Sequence, residues 1–293
     1  MTTLPQFKDL RRADSLYEAT KHLRFSEVAP IDLKDRLALA TVAAGLRPVG
    51  VLESEGLELA LVREQIINHG LYTTISGAVW SKKERAEDHA NFPFLRLLHD
   101  HSSPVASKVL WFFGTREDRK RIEGASLTQH AAGMLLGYPE CCVLNDVATV
   151  DRFTKAFIAA LVDKVGSDEK AVVRAIKQDV GVDMPDEFYD LGNVPRTDAQ
   201  FPFVLHVACD SCLNNTPSAS ALLNAEYGQL ASELNLQLHA GILEVRGLCA
   251  QLHDASESER KDLLDAIDAA HRSVVRAKCN RPTVPARPPR SSQ

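Results

Sequence analysis

Two cysteine pairs constrain this chain more than any helix or strand signal in it. Cys141 and Cys142 are adjacent, and about 67 residues later Cys209-Asp210-Ser211-Cys212 forms a CxxC. A CxxC turn aims both sulfurs at one point, because two intervening residues close a loop around an ion bound at a metal–sulfur length of about 2.3 Å. Adjacent cysteines do not easily bond to each other, and on a regular helix their side chains diverge by about 100°. At the helix start that Pro139 favours, both sulfurs can still face one centre, or one can ligate while the other packs. Together the pairs offer four thiolates, enough for a tetrahedral zinc or a [4Fe–4S] cluster. A shared centre requires the chain near residue 140 to lie against the chain near residue 210.

The surroundings of each pair support a built site. His206-Val207-Ala208 leads into Cys209, so an imidazole is available as a fifth candidate ligand or as a hydrogen-bond partner of a thiolate. The apolar run 201–205 reads as a buried strand holding the site rigid. Thr216-Pro217 reads as the cap and first position of the next helix, whose positive end favours thiolate over thiol. Upstream, Gly137 permits a close turn and Pro139 fixes it, giving a bend at the end of a helix over 127–136.

Around the site the chain changes character near residue 125. Before it, helical spacing over 32–44, 57–68 and from the capping box Ser81-Lys82-Lys83-Glu84 alternates with strand signals at 49–52, 71–75, 78–80 and 109–113. Thr115, with Asp118 three residues on, caps a charged helix. Alternation of this kind predicts an α/β (α+β) fold with a small mixed sheet in the N-terminal half. After residue 125 the pattern is mostly helical, with helices over 127–136, 151–165, 169–178 and from 217, and a second capping box, Ser256-Glu257-Ser258-Glu259, opening the last. A Pro-, Gly- and Asp-rich stretch over 181–201 reads as a loop. The expected units are an α/β subdomain over 1–125, a helical cysteine-containing subdomain over 126–278 packed on it, and a disordered proline-rich tail over 279–293.

Composition excludes several classes of function. Of the residues 45% are hydrophobic and 25% charged, which is globular composition. With 34 basic and 39 acidic residues the net charge is −5, so no general field holds nucleic acid or an anionic membrane. The one local exception is the short basic tail, which reads as solvated. No stretch reaches the roughly 20 apolar residues that span a bilayer, and the first residues lack the layout of a secretory signal. A cytoplasmic location follows as the expectation. In that compartment six cysteines do not read as a disulfide framework.

The other chemical residues carry weaker readings. His99-Asp100-His101 has a metal-binding spacing but sits in a polar loop. His130 falls about three turns before Cys141. Asp210 and Ser211 read as turn residues, Glu140 as a possible base, and Tyr227 and Cys249 as packing residues; Cys279 reads as incidental. No phosphate-binding glycine loop, GxSxG elbow or HExxH is present.

LLGYPECCV, followed by PFVLHVACDSC, resembles an uncharacterised prokaryotic family marked by a GYPxCC signature and a downstream histidine–cysteine cluster. The likeness spans about residues 30–235. Gly137, Tyr138, Pro139, Cys141 and Cys142 carry it, while the downstream cluster of that family reads more like HVPCSxxC, with a different cysteine gap. Ligation by adjacent cysteines is also familiar from some iron–sulfur reductases, among them the non-cobalamin tRNA epoxyqueuosine reductases, a likeness of ligand pattern alone. The resemblance implies a site and no particular reaction.

These readings converge on a cytosolic metalloprotein with Cys141, Cys142, His206, Cys209 and Cys212 as candidate ligands of an iron–sulfur or zinc centre. The leading form is an enzyme performing reduction, sulfur transfer or metal-assisted hydrolysis on a small-molecule or protein substrate. The alternatives are a non-enzymatic binding or regulatory module stapled by zinc, and a thiol–disulfide exchanger on Cys209 and Cys212. The last is weakened by a CxxC that follows an apolar strand without a helix opening at it.

Overall fold

The computed structural model describes residues 7–23, 29–52, 59–76, 109–123, 129–178, 180–185 and 192–276. Expectations that fall elsewhere lie outside the described residues: the strand at 78–80, the Ser81 capping box, His99-Asp100-His101 and the tail over 279–293.

In chain order the described elements begin with α1 (Leu10–Thr20), α2 (Ala29–Ala43), β1 (Val49–Leu52), α3 (Leu59–Asn68), β2 (Tyr72–Ser76) and β3 (Val109–Phe113). Then come α4 (Arg116–Glu123), α5 (Gln129–Leu135), α6 (Glu140–Val165), α7 (Glu169–Lys177), α8 (Val194–Gln200) and α9 (Asp210–Asn214). The series closes with α10 (Ala219–Leu234), α11 (Leu236–Leu252) and α12 (Glu257–Arg276). The fold is α+β, a small sheet in the N-terminal half and a mostly helical C-terminal half. No described helix is long and apolar enough to cross a membrane.

The sheet has strand order β1-β3-β2. A crossover through α3 returns β2 in the direction of β1, as helical connections do, and β3 enters between them, antiparallel to both. Every ladder among the described residues is therefore antiparallel. The alternating signals predict a mixed sheet because they record the β1-α3-β2 crossover and not the strand that later fills its gap. Val109-Leu110-Trp111-Phe112-Phe113 is apolar at successive positions because both faces of β3 are covered. Leu110 and Phe112 face a core with α1, α2 and α3, whereas Trp111 and Phe113 face Leu136 and residues of α5. Gly50 pairs with Phe112, and a Cβ on it would stand 2.1 Å from the Phe112 ring. Only glycine fits there.

The largest core contains residues from both sides of residue 125, since Leu230 and Leu234 of α10 join Leu16, Val42, Ile66 and Phe112. A second core gathers Leu33 and Leu37 of α2 with Tyr227, Leu238, Ile242 and Ile267 of α10, α11 and α12. The helices α6 and α7 stand apart from these. Ile158 is buried on the last turns of α6, and Leu161 packs with Val172, Ala175 and Ile176 of α7 in a small core of their own. Along the middle of α6, Leu144, Val150 and Phe153 are exposed, and its substantial packing among the described elements is against α5 and α7.

Local signals hold at several helix ends. The Asp118 N–H donates to Thr115 Oγ1 at 3.2 Å, and the Ser256 N–H donates to Glu259 Oε2 at 2.9 Å, the reciprocal bond of a capping box. Four expectations need correction. The run 201–205 is a sequence of turns, because Pro202 has no N–H for a ladder and the Phe203 N–H donates to Asn224 Oδ1 instead, at 2.9 Å. The next helix begins at Ala219, not Pro217, with Ser218 accepting from the Ala221 N–H at 3.2 Å. The loop over 181–201 contains the helix α8, with Pro195 in its first turn. Finally, a helix does open at the CxxC, since Cys209 caps α9; the sequence-based objection to a thiol–disulfide exchanger therefore loses its premise.

Candidate metal centre

The first cysteine pair is placed by two consecutive helix ends. α5 stops in a Schellman-type closure, with the Tyr138 N–H on the Gly133 carbonyl and the Gly137 N–H on the Met134 carbonyl, both at 3.1 Å. That closure needs a left-handed residue, and Gly137 supplies it at φ +74°. Two residues on, Pro139 occupies the N-cap of α6 in an extended conformation, its carbonyl accepting from the Cys142 and Val143 N–H groups. Glycine ends one helix and proline starts the next, which explains the order Gly-Tyr-Pro before the cysteines. Cys141 and Cys142 fall in the first turn of a 26-residue helix, where its dipole favours thiolate. Arg47, buried beneath the bend, reaches the Leu136 carbonyl at 3.5 Å.

The second pair is placed by α8. Arg246 of α11 forms an ion pair with Asp198 of α8, both side chains almost fully buried. The neighbouring Thr197 accepts the Ala208 N–H through Oγ1 at 3.0 Å, just before Cys209. On the outer side of α8, Arg196 donates to Asp210 Oδ1 at 3.3 Å and Asn214 Oδ1 at 2.8 Å, bracketing α9. Burial and the Arg246 charge pull the nearby Lys34 ammonium down to about 8. Burial pushes the Asp198 carboxyl up against the opposing pull of Arg246.

These placements bring the four sulfurs together. Cys141, Cys142, Cys209 and Cys212 have Sγ atoms all within 4.8 Å of one another, a grouping able to bind a metal ion. The close pairs are Cys141–Cys212 at 3.6 Å, Cys142–Cys209 and Cys142–Cys212 at 3.7 Å, and Cys141–Cys142 at 4.0 Å. Three of the residues are buried and Cys141 is exposed. Phe201, Val204, Ala208 and Leu213 pack around the buried three.

His206 lies outside this grouping and reaches it through an intermediary. Its Nε2 is 2.9 Å from Ser220 Oγ, which is 3.5 Å from Cys142 Sγ. With Cys142 as thiolate, the Ser220 hydroxyl donates to sulfur and accepts from the imidazole, which fixes the Nε2-protonated tautomer. Burial, with the charges of Lys34 and Arg47, holds the His206 imidazole down to about 4, so it is neutral near pH 7. The Cys209 N–H also donates to Cys142 Sγ, at 3.4 Å. Sequence reasoning missed Ser220, Thr197 and the Arg246–Asp198 pair, because each acts across a tertiary contact that no local pattern announces.

The thiols differ in their hold on the proton. Burial and hydrogen bonding to Cys212 push Cys141 up to about 11, and burial also raises Cys142. Burial acts upward on Cys212 too, but hydrogen bonds from Ser220 and from the other thiols bring it down to about 7. Of Cys141, Cys142 and Cys212, Cys212 thus gives up its proton most readily, and a divalent cation would replace the protons that remain.

A cleft of about 220 Å³ opens beside the sulfurs, with Ala132, Gly133, Tyr138, Cys142, Val143 and His206 among its lining residues. The Tyr138 and His206 rings meet in its wall, centroids 5.1 Å apart. The weaker candidates do not join the centre. Asp210 is paired with Arg196, Tyr227 is buried in the second core, and Cys249 is half-buried on α11 against that same core. Comparisons with models of known families, with curated proteins and with solved structures give no match.

Proposed function

We propose that this is a metal-thiolate protein whose four cysteines hold a single tetrahedral ion, zinc before iron, and that the ion fastens the start of α6 to the α8–α10 segment. One observation carries the reading. Four sulfurs at about 2.3 Å from one ion stand about 3.8 Å apart along the edges of the tetrahedron, and the four close pairs lie at 3.6–4.0 Å. In a [4Fe–4S] centre each thiolate binds its own iron at a cube corner, which separates the sulfurs by roughly 6 Å. The sulfurs here, all within 4.8 Å of one another, stand nearer the single-ion spacing, which supports one ion over a cluster. Four thiolates around one ion leave no open position, so the ion acts structurally. His206 tunes Cys142 through Ser220 and does not ligate.

Free thiols suit a reducing compartment, and a cytoplasmic setting is part of the proposal, as is kinship with the GYPxCC family through the residues of the bend. A second, enzymatic reading is favoured by the cleft, which brings a small molecule beside Cys142, Tyr138 and His206. In that reading three thiolates hold the ion and Cys142, the cysteine that lines the cleft, is left to react.

Metal analysis of protein purified without oxygen separates these. One equivalent of zinc, replaceable by cobalt(II) with the visible absorption of a tetrahedral thiolate site, is the expected result. Acid-labile sulfide with several irons per chain would defeat the single-ion reading. A cobalt spectrum that shifts when small thiols or carboxylates are added would favour the enzymatic one.

A further inference from the structure

We infer that Cys141 is an oxidation site, the thiolate at which peroxide first attacks the four-sulfur centre, with Cys212 as its resolving partner. The consequence for metal binding rests on the single-ion reading above.

The four sulfurs are not equivalent. Cys142, Cys209 and Cys212 are buried, whereas Cys141 is exposed, so an oxidant arriving from solvent meets this sulfur first. Hydrogen bonds to a thiolate draw charge from it and blunt its nucleophilicity. Cys142 has such bonds from the Cys209 N–H and from Ser220. The close contacts of Cys141 Sγ are with the sulfurs of Cys142 and Cys212. Cys141 is thus the accessible sulfur, and these contacts do not include the N–H and O–H donors that blunt Cys142; oxidation of thiolates begins at such a site.

Geometry also chooses the second sulfur. Cys212 is the nearest to Cys141, at 3.6 Å. Cys142, at 4.0 Å, is the sequence neighbour, and a bond between adjacent cysteines needs a strained peptide. Joining Cys141 to Cys212 bridges α6 to α9.

The chemistry balances with hydrogen peroxide as oxidant. The Cys141 thiolate attacks one peroxide oxygen; an S–O bond forms, the O–O bond breaks, and hydroxide leaves. The Cys212 thiolate then attacks the resulting sulfenic sulfur; the S–S bond forms, the S–O bond breaks, and a second hydroxide leaves. Two thiolates lose two electrons, peroxide gains them, and the two hydroxides take up protons from the medium to become water. Only Cys142 and Cys209 remain as thiolates, too few to retain a tetrahedral ion, so oxidation releases the ion and leaves a covalent bond between α6 and α9 in its place.

The test uses the full chain loaded with zinc. Hydrogen peroxide is added, zinc release is followed with a chromophoric chelator, and thiols are blocked and mapped by mass spectrometry, with dimedone present in a parallel sample to trap sulfenic acid. The expected result is a Cys141–Cys212 disulfide formed in step with one released zinc, dimedone on Cys141, and reversal by dithiothreitol. C141S should slow loss of the remaining thiols about tenfold, while C249S leaves the rate unchanged. A first adduct on another cysteine, or a Cys209–Cys212 disulfide, would overturn the inference, and mapping of the unaltered chain decides this even where C141S folds poorly. A chain that takes up no zinc overturns the single-ion reading, whereas a zinc-loaded chain whose first adduct lies on another cysteine overturns the oxidation site alone.

Discussion

The sheet end of the molecule and the sulfur end are held in different ways. Around β3, Leu110, Phe112 and Phe113 are fully buried, and helices cover both faces. That region is secured by apolar area, which needs nothing but water to act. At the start of α6 the apolar contribution is a ring of small size around Cys142, Cys209 and Cys212, and the sulfurs themselves span the gap. On the proposed reading, attachment there depends on an ion, on the redox state of the four thiols and on a few polar contacts behind them. On that reading one chain combines a part secured by apolar burial with a part whose attachment is conditional.

The largest expected effect tests the unconditional part. Phe112→Ala removes a ring from the centre of the first core and should cost about 3–5 kcal/mol, by the same amount with and without a chelator in denaturant titrations. A chelator-dependent loss would mean that the two ends are not energetically separate. Next comes Arg246→Met, which strips the buried partner from Asp198. A loss of about 3 kcal/mol at pH 7 is expected. Asp198 without Arg246 would bind its proton more tightly folded than unfolded, so the deficit should shrink as the pH falls and grow as it rises. Because Thr197 on the same helix holds Ala208, zinc affinity should weaken too. Denaturation at several pH values together with zinc titration checks both. The smallest effect sharpens the comparison: Ser220→Ala should lower zinc affinity 10- to 100-fold, about 1.4–2.7 kcal/mol, beyond whatever loss of the His206 bond costs the metal-free protein. Equal losses in both forms would make Ser220 a packing residue.

What the sequence made legible follows from range. Gly137 and Pro139 read correctly because helix ends are local events, and so did Val109–Phe113, whose apolar run needs no partner to be recognised. The cysteine pairs were legible as one centre because ligand chemistry restricts what four thiols can be. By contrast the run 201–205 has the composition of a strand and no neighbour to pair with, and a sequence does not show a missing neighbour. The helix α8 was hidden by Pro195 and Asp198, a turn former and a carboxylate whose helical placement depends on Arg246 far along the chain. His206 was read as a possible ligand because its spacing to Cys209 allows it; Ser220, which stands between His206 and Cys142, is met only in three dimensions.

The length of α6 gives the cysteine site a reach beyond its own size. At 26 residues and 1.5 Å of rise per residue, the helix is about 39 Å long. Its first turn is pinned at the sulfurs and its last turns carry α7. With an ion held there, as proposed, Cys141 and Cys142 would be the fulcrum of a lever. A tilt of about 10° there would swing the far tip by roughly 7 Å over that length, converting an event at one ion into a displacement as large as a change of neighbour.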